Sequence, residues 1–241
     1  MNRSIASIAL MAAMTLAGST AVAAEDAATL SVLQQPAKLI AVIYQRHHDW
    51  KTDEGIALAT KALTDLDPML RSDPDGEIAD PRLKTRRVRQ IASTLHTLLG
   101  MLDQRQGLKL LQDESGRRNK RLAEYDKANG KLESADIEQR IAAERASAKL
   151  SATAVKELRT AIEIDAKNPS PHYELAKLYA AGLPGGTAAA EEEYYLAALC
   201  SFDEGDSKAA QSTMGALAAL NPKSKFLAQF ERKRKTVGSA K

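Results

Sequence analysis

The chain has 241 residues, enough for one moderate domain or two small ones. Its formal net charge of +3 provides no excess that would select nucleic acid or an acidic polymer as a partner. Aromatic residues make up only 4% of the chain while alanine is abundant, which suits closely packed helices better than a sheet sandwich.

Arg3, the apolar run Ile5 to Leu16 and the small residues Ala21-Val22-Ala23-Ala24 ahead of Glu25 and Asp26 predict a cleaved signal peptide over 1–24. The run falls short of the roughly 20 apolar residues of a membrane helix, and no later stretch approaches that length. No cysteine stands near the cleavage site to carry a lipid. The expected product is a soluble periplasmic protein with no transmembrane segment after cleavage, its net charge one unit lower once Arg3 has left. Cys200 is the only cysteine, so no intramolecular disulfide forms even in an oxidising compartment, and Leu199 and Phe202 beside it predict an inert core thiol.

An N-terminal helical region is expected over 25–113. From Thr29 to Pro68 it reads as a helical pair: Leu33, Ile40, Ile43 and Tyr44 share a face, His47 to Asp53 is a polar break, and Gly55 to Leu66 carries a second face. Asp67 to Pro81 holds three prolines and several acids and is expected to be a loop. Within it Asp73-Pro74-Asp75-Gly76-Glu77 has part of a calcium loop, but the closing glutamate is missing at the required distance, so a plain acidic linker is favoured. Arg82 to Asp113 gives a long helical period through Val88, Ile91, Leu95, Leu98, Leu99 and Leu102, weakened by Gly100 and Gly107. The basic start Lys84-Thr85-Arg86-Arg87-Val88-Arg89 opposes the helix dipole and reads as a solvated face ahead of a docking surface for an acidic partner.

Residues 114–133 are polar and charged, a linker loop or an exposed helix between two halves. Beyond them, 134–223 is expected to form a second helical domain. Ile137 to Ile164 has almost no breakers: either one long helix, or two that turn between Ala146 and Ala152 with Ser147 or Ser151 as cap. Ser207 to Leu220 reads as a terminal packing helix, and 224–241 as a basic tail, partly disordered and solvated, with Arg232-Lys233-Arg234-Lys235 at its centre.

One pattern occurs twice. Ala154, Leu158 and Ala161 stand at the same spacing as Ala190, Tyr194 and Ala197, thirty-six residues on, and His172, Leu175, Ala176 and Tyr179 between them form another single helical face. Small and large residues alternating in this way resemble the tetratricopeptide repeat, a unit of about 34 residues made of two antiparallel helices. Lys61 to Pro68 resembles the end of such a unit more loosely, with Ile40, Ala41 and Tyr44 then in its first helix and Gly55, Ala59 and Ala62 in its second. Upstream of Ala154, Ile141 and Ala142 fit a first helix, although Arg145 stands where an aromatic belongs. Gly182-Leu183-Pro184-Gly185-Gly186 accounts for the longer period as an extended turn, with Thr187 to cap the next helix. The resemblance implies an all-α fold of antiparallel hairpins stacked as a short solenoid, whose groove binds a protein or peptide through the first helix of each pair. The positions it points to are Tyr173, Glu174 and Lys177, flanking His172 and Tyr179. A shorter stretch, His172 to Leu199 with its Leu-Pro-Gly-Gly turn, resembles the periplasmic T components of TRAP-type solute transporters, which would imply an accessory role in solute or lipid transport.

Catalysis ranks third. His47 and His48 are adjacent and point to different faces, His96 lies on an apolar helix, and His172 holds a packing position. No HExxH, CxxC or GxSxG occurs. His47, His48 and Asp49 beside Trp50 read as a polar bend ahead of a metal site, and Gly182 to Gly186, without the Lys-Ser/Thr of a phosphate loop, as a turn ahead of an anion site. No cofactor or metal is expected, nucleic acid is not expected as a partner, and homo-oligomerisation is left open. The reading is of an exported scaffold or adaptor.

Overall fold

The computed structural model describes residues 27–71, 81–128 and 134–238. The expected signal peptide and the acidic loop around Asp75 lie outside the described residues. Eight helices make up the described chain, with no strand among them: α1 (Ala27–His48), α2 (Thr52–Arg71), α3 (Pro81–Ala128), α4 (Ser134–Ile164), α5 (Pro169–Ala180), α6 (Gly186–Asp203), α7 (Ser207–Leu220) and α8 (Lys225–Gly238). Each helix packs on the next, α1 and α5 also pack on α3, and α6 also packs on α8.

The ends of these helices follow from local chemistry. Asn168 caps α5 by accepting from the Ser170 amide at 3.1 Å, with Pro169 in the first turn where no amide hydrogen is needed. Asp206 caps α7 by accepting from Ala209 N at 2.9 Å. Gly182, at φ +106°, ends α5: its amide donates to Tyr179 O, and Leu183 N reaches back to Leu178 O. Thr187, expected as the cap of α6, lies inside the helix instead, which starts from Gly185 with no side-chain cap.

The core falls into three clusters. Ile43, Ala59, Ala62, Leu66, Val88, Ile91, Leu95 and Leu102 bury one another among α1, α2 and α3. Leu158, Leu175, Leu178, Tyr179 and Ala190 do so among α4, α5 and α6. Ala176, Tyr194, Ala198, Met214, Leu217 and Phe230 close the C-terminal end. Each fully buried leucine contributes about 2 kcal/mol by removal from water. In the first hairpin Ile43, at 0% exposed, holds the position beside Ile40, whereas Ala41 faces solvent.

Four expectations need correction or choice. Residues 114–128 continue α3 as helix rather than breaking it, and Ile137 to Ile164 belongs to a single helix, α4. α2 runs on to Arg71, past the Asp67-Pro68 at which a stop was expected. The basic tail is helical through Gly238, held by Phe230, 2% exposed, against Phe202 and by Lys233 on Asp203. Side chains of 81–87, which include most of the basic start of α3, lie outside the described residues.

α3 and α4 form the main interface, and small residues set its geometry. The Ser93 hydroxyl donates to Ala161 O at 2.8 Å. A Cβ at Gly100 would lie 2.9 Å from Leu158 Cγ and 3.0 Å from Ala154 O, and one at Gly107 would lie 3.0 Å from Ser147 Oγ. Ser93, Gly100 and Gly107 recur every seven residues and meet Ala161, Ala154 and Ser147, which recur every seven in the opposite direction. This is an antiparallel heptad seam in which the backbones approach closely. Alanine at Gly100 would gain helix propensity of about 1 kcal/mol, but it must displace backbone as well as Leu158. We expect Gly100→Ala to destabilise by about 1–3 kcal/mol. Gly116→Ala, with nothing within 4 Å of the new Cβ, should stabilise by about 1 kcal/mol. Urea denaturation of the two variants checks both signs.

Candidate functional site

The side chains that sequence reasoning nominated for a partner lie on α5, which packs on α3 as α1 does, and α1 and α3 add others that it did not nominate. α1, α3 and α5 run in the same direction, because each is followed by an antiparallel neighbour. Asn168 Nδ2 donates to Ser93 Oγ at 2.9 Å and so ties the start of α5 to α3. At the other end Arg105 Nη2 donates to His48 O at 3.2 Å and ties α3 to the end of α1.

Tyr173, Glu174 and Lys177 lie on α5, but not as three exposed side chains. Tyr173 is half-buried, its ring edge against Tyr194 at 5.5 Å. Glu174 is buried, 9% exposed, and accepts from Lys177 Nζ at 2.6 Å. Lys177 also sits 5.9 Å from the centre of the Tyr173 ring. Glu174 is therefore a correction: it anchors the lysine from below rather than offering a free carboxylate to solvent. Lys177, with 42% of its side chain exposed, is the accessible member.

Across from them are Tyr44 and His47 of α1, with ring centres 6.2 Å apart. The charges of Glu174 and Lys177 reach the Tyr44 hydroxyl, whose pKa is raised first by burial and then by Glu174. Burial, then Arg105 and Lys177, hold His47 down to about 4, so it is neutral at physiological pH. The same corner contains Trp50, 38% exposed, with the Arg105 guanidinium 3.8 Å from the centre of its ring. Burial also drives Tyr194 up to about 12, with Tyr173 and Glu174 adding to the effect. The assembly is aromatic and cationic at once: Tyr44, His47, Trp50 and Arg105 on one side, Tyr173 and Lys177 on the other. Tyr44, Trp50 and Arg105 were missed as site residues. The signal available was the pair Tyr44 and His47, three apart on one helical face ending in a basic turn.

The ten packing positions have a different part. Ala154, Leu158, Ala161, His172, Leu175, Ala176, Tyr179, Ala190, Tyr194 and Ala197 are all buried, none more than 7% exposed. His172 Nδ1 meets Glu193 Oε2 at 2.7 Å. His96 Nδ1 meets Glu157 Oε2 at the same 2.7 Å, one hairpin earlier. Glu157 and Glu193 are thirty-six residues apart, the offset of the doubled pattern, while His96 and His172 are seventy-six apart. The same inter-helix pair thus occurs twice, and forty additional residues separate its two members in the α3–α4 hairpin.

These pairs link helices: His96 stands against Glu157, whose charge also reaches Asp103, and the same link recurs between His172 and Glu193. Among the described residues no group of three His, Cys, Asp or Glu is placed to hold a metal ion. His48 and Asp49 hold each other at 3.3 Å, and His47 has its ring 6.2 Å from that of Tyr44. The half-buried Cys200 directs Sγ to Ala166 O at 3.5 Å, and burial raises its pKa to about 11, so it stays a protonated thiol.

Asp103, 8% exposed, is pushed up to about 6 by burial and then by Glu157. A folded-state pKa above the unfolded 3.8 means that the native chain binds more protons between these values, so stability from this group is present at low pH and lost as pH rises from about 4 to 6. His47 acts oppositely: with its folded pKa lowered from 6.5 to about 4, its contribution grows as pH rises through that window. Asp103→Asn should therefore raise the melting temperature at pH 7, by a few degrees, and leave it nearly unchanged at pH 4; melting curves at the two pH values check the crossover. No protein-family model, curated protein or solved structure matches the chain.

Proposed function

We propose that this chain is an exported, non-catalytic scaffold built of stacked tetratricopeptide-like hairpins, whose first helices line a groove for a protein or peptide segment. α1 with α2, α3 with α4, α5 with α6 and α7 with α8 are the hairpins, and the contacts of α1 and α5 with α3 align three first helices. The observation that carries the reading is that α1 and α5 both pack on α3, tied to it by Arg105 Nη2 on His48 O at 3.2 Å and by Asn168 Nδ2 on Ser93 Oγ at 2.9 Å, and the proposed concavity lies between these two helices.

The chemistry of that concavity selects its occupant. Arg105 and Lys177 are cations, Glu174 offsets one of them, and His47 remains neutral. Tyr44, Tyr173 and Trp50 supply aromatic faces. A segment that presents a carboxylate to the Arg105 and Lys177 side and an apolar side chain to the tyrosines fits this arrangement. Export rests on the leader pattern over 1–24; no helix among the described residues is long and apolar enough to cross a membrane.

Immobilised protein is expected to retain partners from a periplasmic extract that the Tyr173→Ala/Lys177→Glu variant releases at least tenfold more readily, with loss also in high salt. Quantitative mass spectrometry of the eluates is the measurement. Retention unchanged by the double substitution would refute the groove assignment.

A further inference from the structure

The chain has four histidines, and three of them meet a carboxylate. His48 Nδ1 lies 3.3 Å from Asp49 Oδ1, His96 Nδ1 2.7 Å from Glu157 Oε2 and His172 Nδ1 2.7 Å from Glu193 Oε2. His47 is the exception: its side chain makes no ion pair and no hydrogen bond among the described residues. The acids of the same corner are engaged elsewhere. Asp49 accepts from Gln45 Nε2 at 2.8 Å and holds His48, Glu54 pairs with Arg46 at 3.0 Å, Asp53 accepts from Gln106 at 2.8 Å, and Glu174 accepts from Lys177 at 2.6 Å.

The charges that do act on the His47 imidazole are cationic: Arg105 from α3, Lys177 from α5 and His48 beside it on α1. Tyr44, whose ring centre is 6.2 Å away, is a phenol whose pKa burial raises, so it stays protonated. Arg105 is fixed in place by the turn that ends α1. Its Nη2 donates to His48 O at 3.2 Å, its guanidinium lies 3.8 Å from the centre of the Trp50 ring, and Trp50 N donates to His47 O at 3.3 Å. A half-buried imidazole beside fixed cations stays neutral, in line with a pKa lowered to about 4 by burial and then by Arg105 and Lys177. An anion that pairs with those cations offsets their field and puts a negative charge near the ring. An opposite charge within about 4–6 Å favours the charged form of a titrating group by roughly 1–3 pH units.

We propose that a carboxylate of the segment bound in the groove supplies the partner that His47 lacks, and that His47 takes a proton from solvent as the segment binds. Such pairing requires the groove proposed between α1 and α5 and rests on that reading. It makes His47 a partner-binding residue, and it sets a histidine against a carboxylate across the interface as the chain already does at His48, His96 and His172. The sign of the pH dependence follows. Between about 4 and the raised value in the complex, the bound state holds a proton that the free state does not. Affinity therefore rises as pH falls from 7 to 5, by about tenfold for a rise of two units at His47. A basic segment would show the opposite dependence, because protonated His47 repels it.

Benzenesulfonate is the probe, because it carries an anion and an apolar ring and stays ionised at every pH used. It is added to the full chain against an equal concentration of sodium chloride. Trp50 is the only tryptophan, so its indole signal reports binding, and proton NMR follows the His47 ring, assigned by its loss in His47→Gln. The sulfonate is expected to shift the Trp50 indole and to raise the His47 titration midpoint by at least about one pH unit. It should bind about tenfold more tightly at pH 5 than at pH 7, and with equal affinity at both in His47→Gln. A Trp50 response with an unmoved His47 midpoint, or a pH dependence that persists in His47→Gln, overturns the proton coupling and leaves the groove standing. A Trp50 response that persists in Arg105→Gln/Lys177→Gln, or none beyond that to chloride, overturns the groove and the pairing with it.

Discussion

Everything in this fold depends on how closely α3 and α4 approach. Ser93, Gly100 and Gly107 admit the backbone opposite, and Ala161, Ala154 and Ser147 answer at the same interval. The consequence is geometric before it is energetic. With α4 drawn against one side of α3, the rest of α3 remains open to α1 and α2, and the far side of α4 to α5. A large residue at Gly100 would separate the two helices, and Leu158 would lose both its seat and its contact with the α5–α6 cluster. The apolar clusters on either side are thus not independent cores: each uses a helix whose position the small-residue seam has set.

Much of the C-terminal half could be read directly from residue spacing. There, the small and large positions from Ala154 to Ala197 are all buried as their spacing implies, although α6 starts from Gly185 and not from a Thr187 cap. The middle hairpin was harder because its two members are far apart in sequence. A search for the first helix just upstream of Ala154 finds Ile141, Ala142 and Arg145, which the structure places in α4, the second helix of that hairpin. The real counterpart of His172, Leu175 and Ala176 is His96, Leu99 and Gly100, forty residues earlier than the thirty-six-residue period would put it. Glycine compounded the difficulty. Gly100 and Gly107 look like helix weakeners in one dimension and become close-approach positions only when the partner helix is known. The seven-residue recurrence shared with Ser93, mirrored by Ser147, Ala154 and Ala161, was the legible trace.

Burial as well as charge shapes the candidate site. Glu174 was legible as a polar residue next to packing positions, but its depth was not, because a carboxylate at 9% exposure depends on a lysine above it that only the fold brings into place. The same reasoning separates Lys177 from an ordinary surface lysine. It is held by a buried carboxylate and lies near the Tyr173 ring, and in the proposed groove preorganisation of that kind would lower the entropic cost of binding. Tyr173 is likewise fixed by its edge contact with Tyr194, so the α5 wall is a rigid surface.

The α1 wall is built differently, and Trp50 shows how. Lys51 N donates to Arg46 O and Trp50 N to His47 O, the hydrogen-bond pattern of a helix terminus whose pivotal residue is usually glycine. Trp50 takes that place at φ +60°, a left-handed conformation that costs a residue with a side chain about 1–2 kcal/mol. Glycine would remove the strain and also remove the ring on which Arg105 rests. Arg105 is what the turn obtains in exchange: stacked on Trp50 and donating to His48 O, the guanidinium is fixed beside His47 and helps to keep that imidazole neutral. Strain of this size persists where surrounding contacts over-determine it, commonly at a site of function. A tryptophan here trades backbone comfort for an oriented cation, and it does so at the end of α1 that faces Lys177. Arg105 and Lys177 are therefore both held by neighbours within the chain, one by an aromatic ring on a strained turn and the other by a buried glutamate, and in the proposed groove neither would need to move when an acidic segment enters.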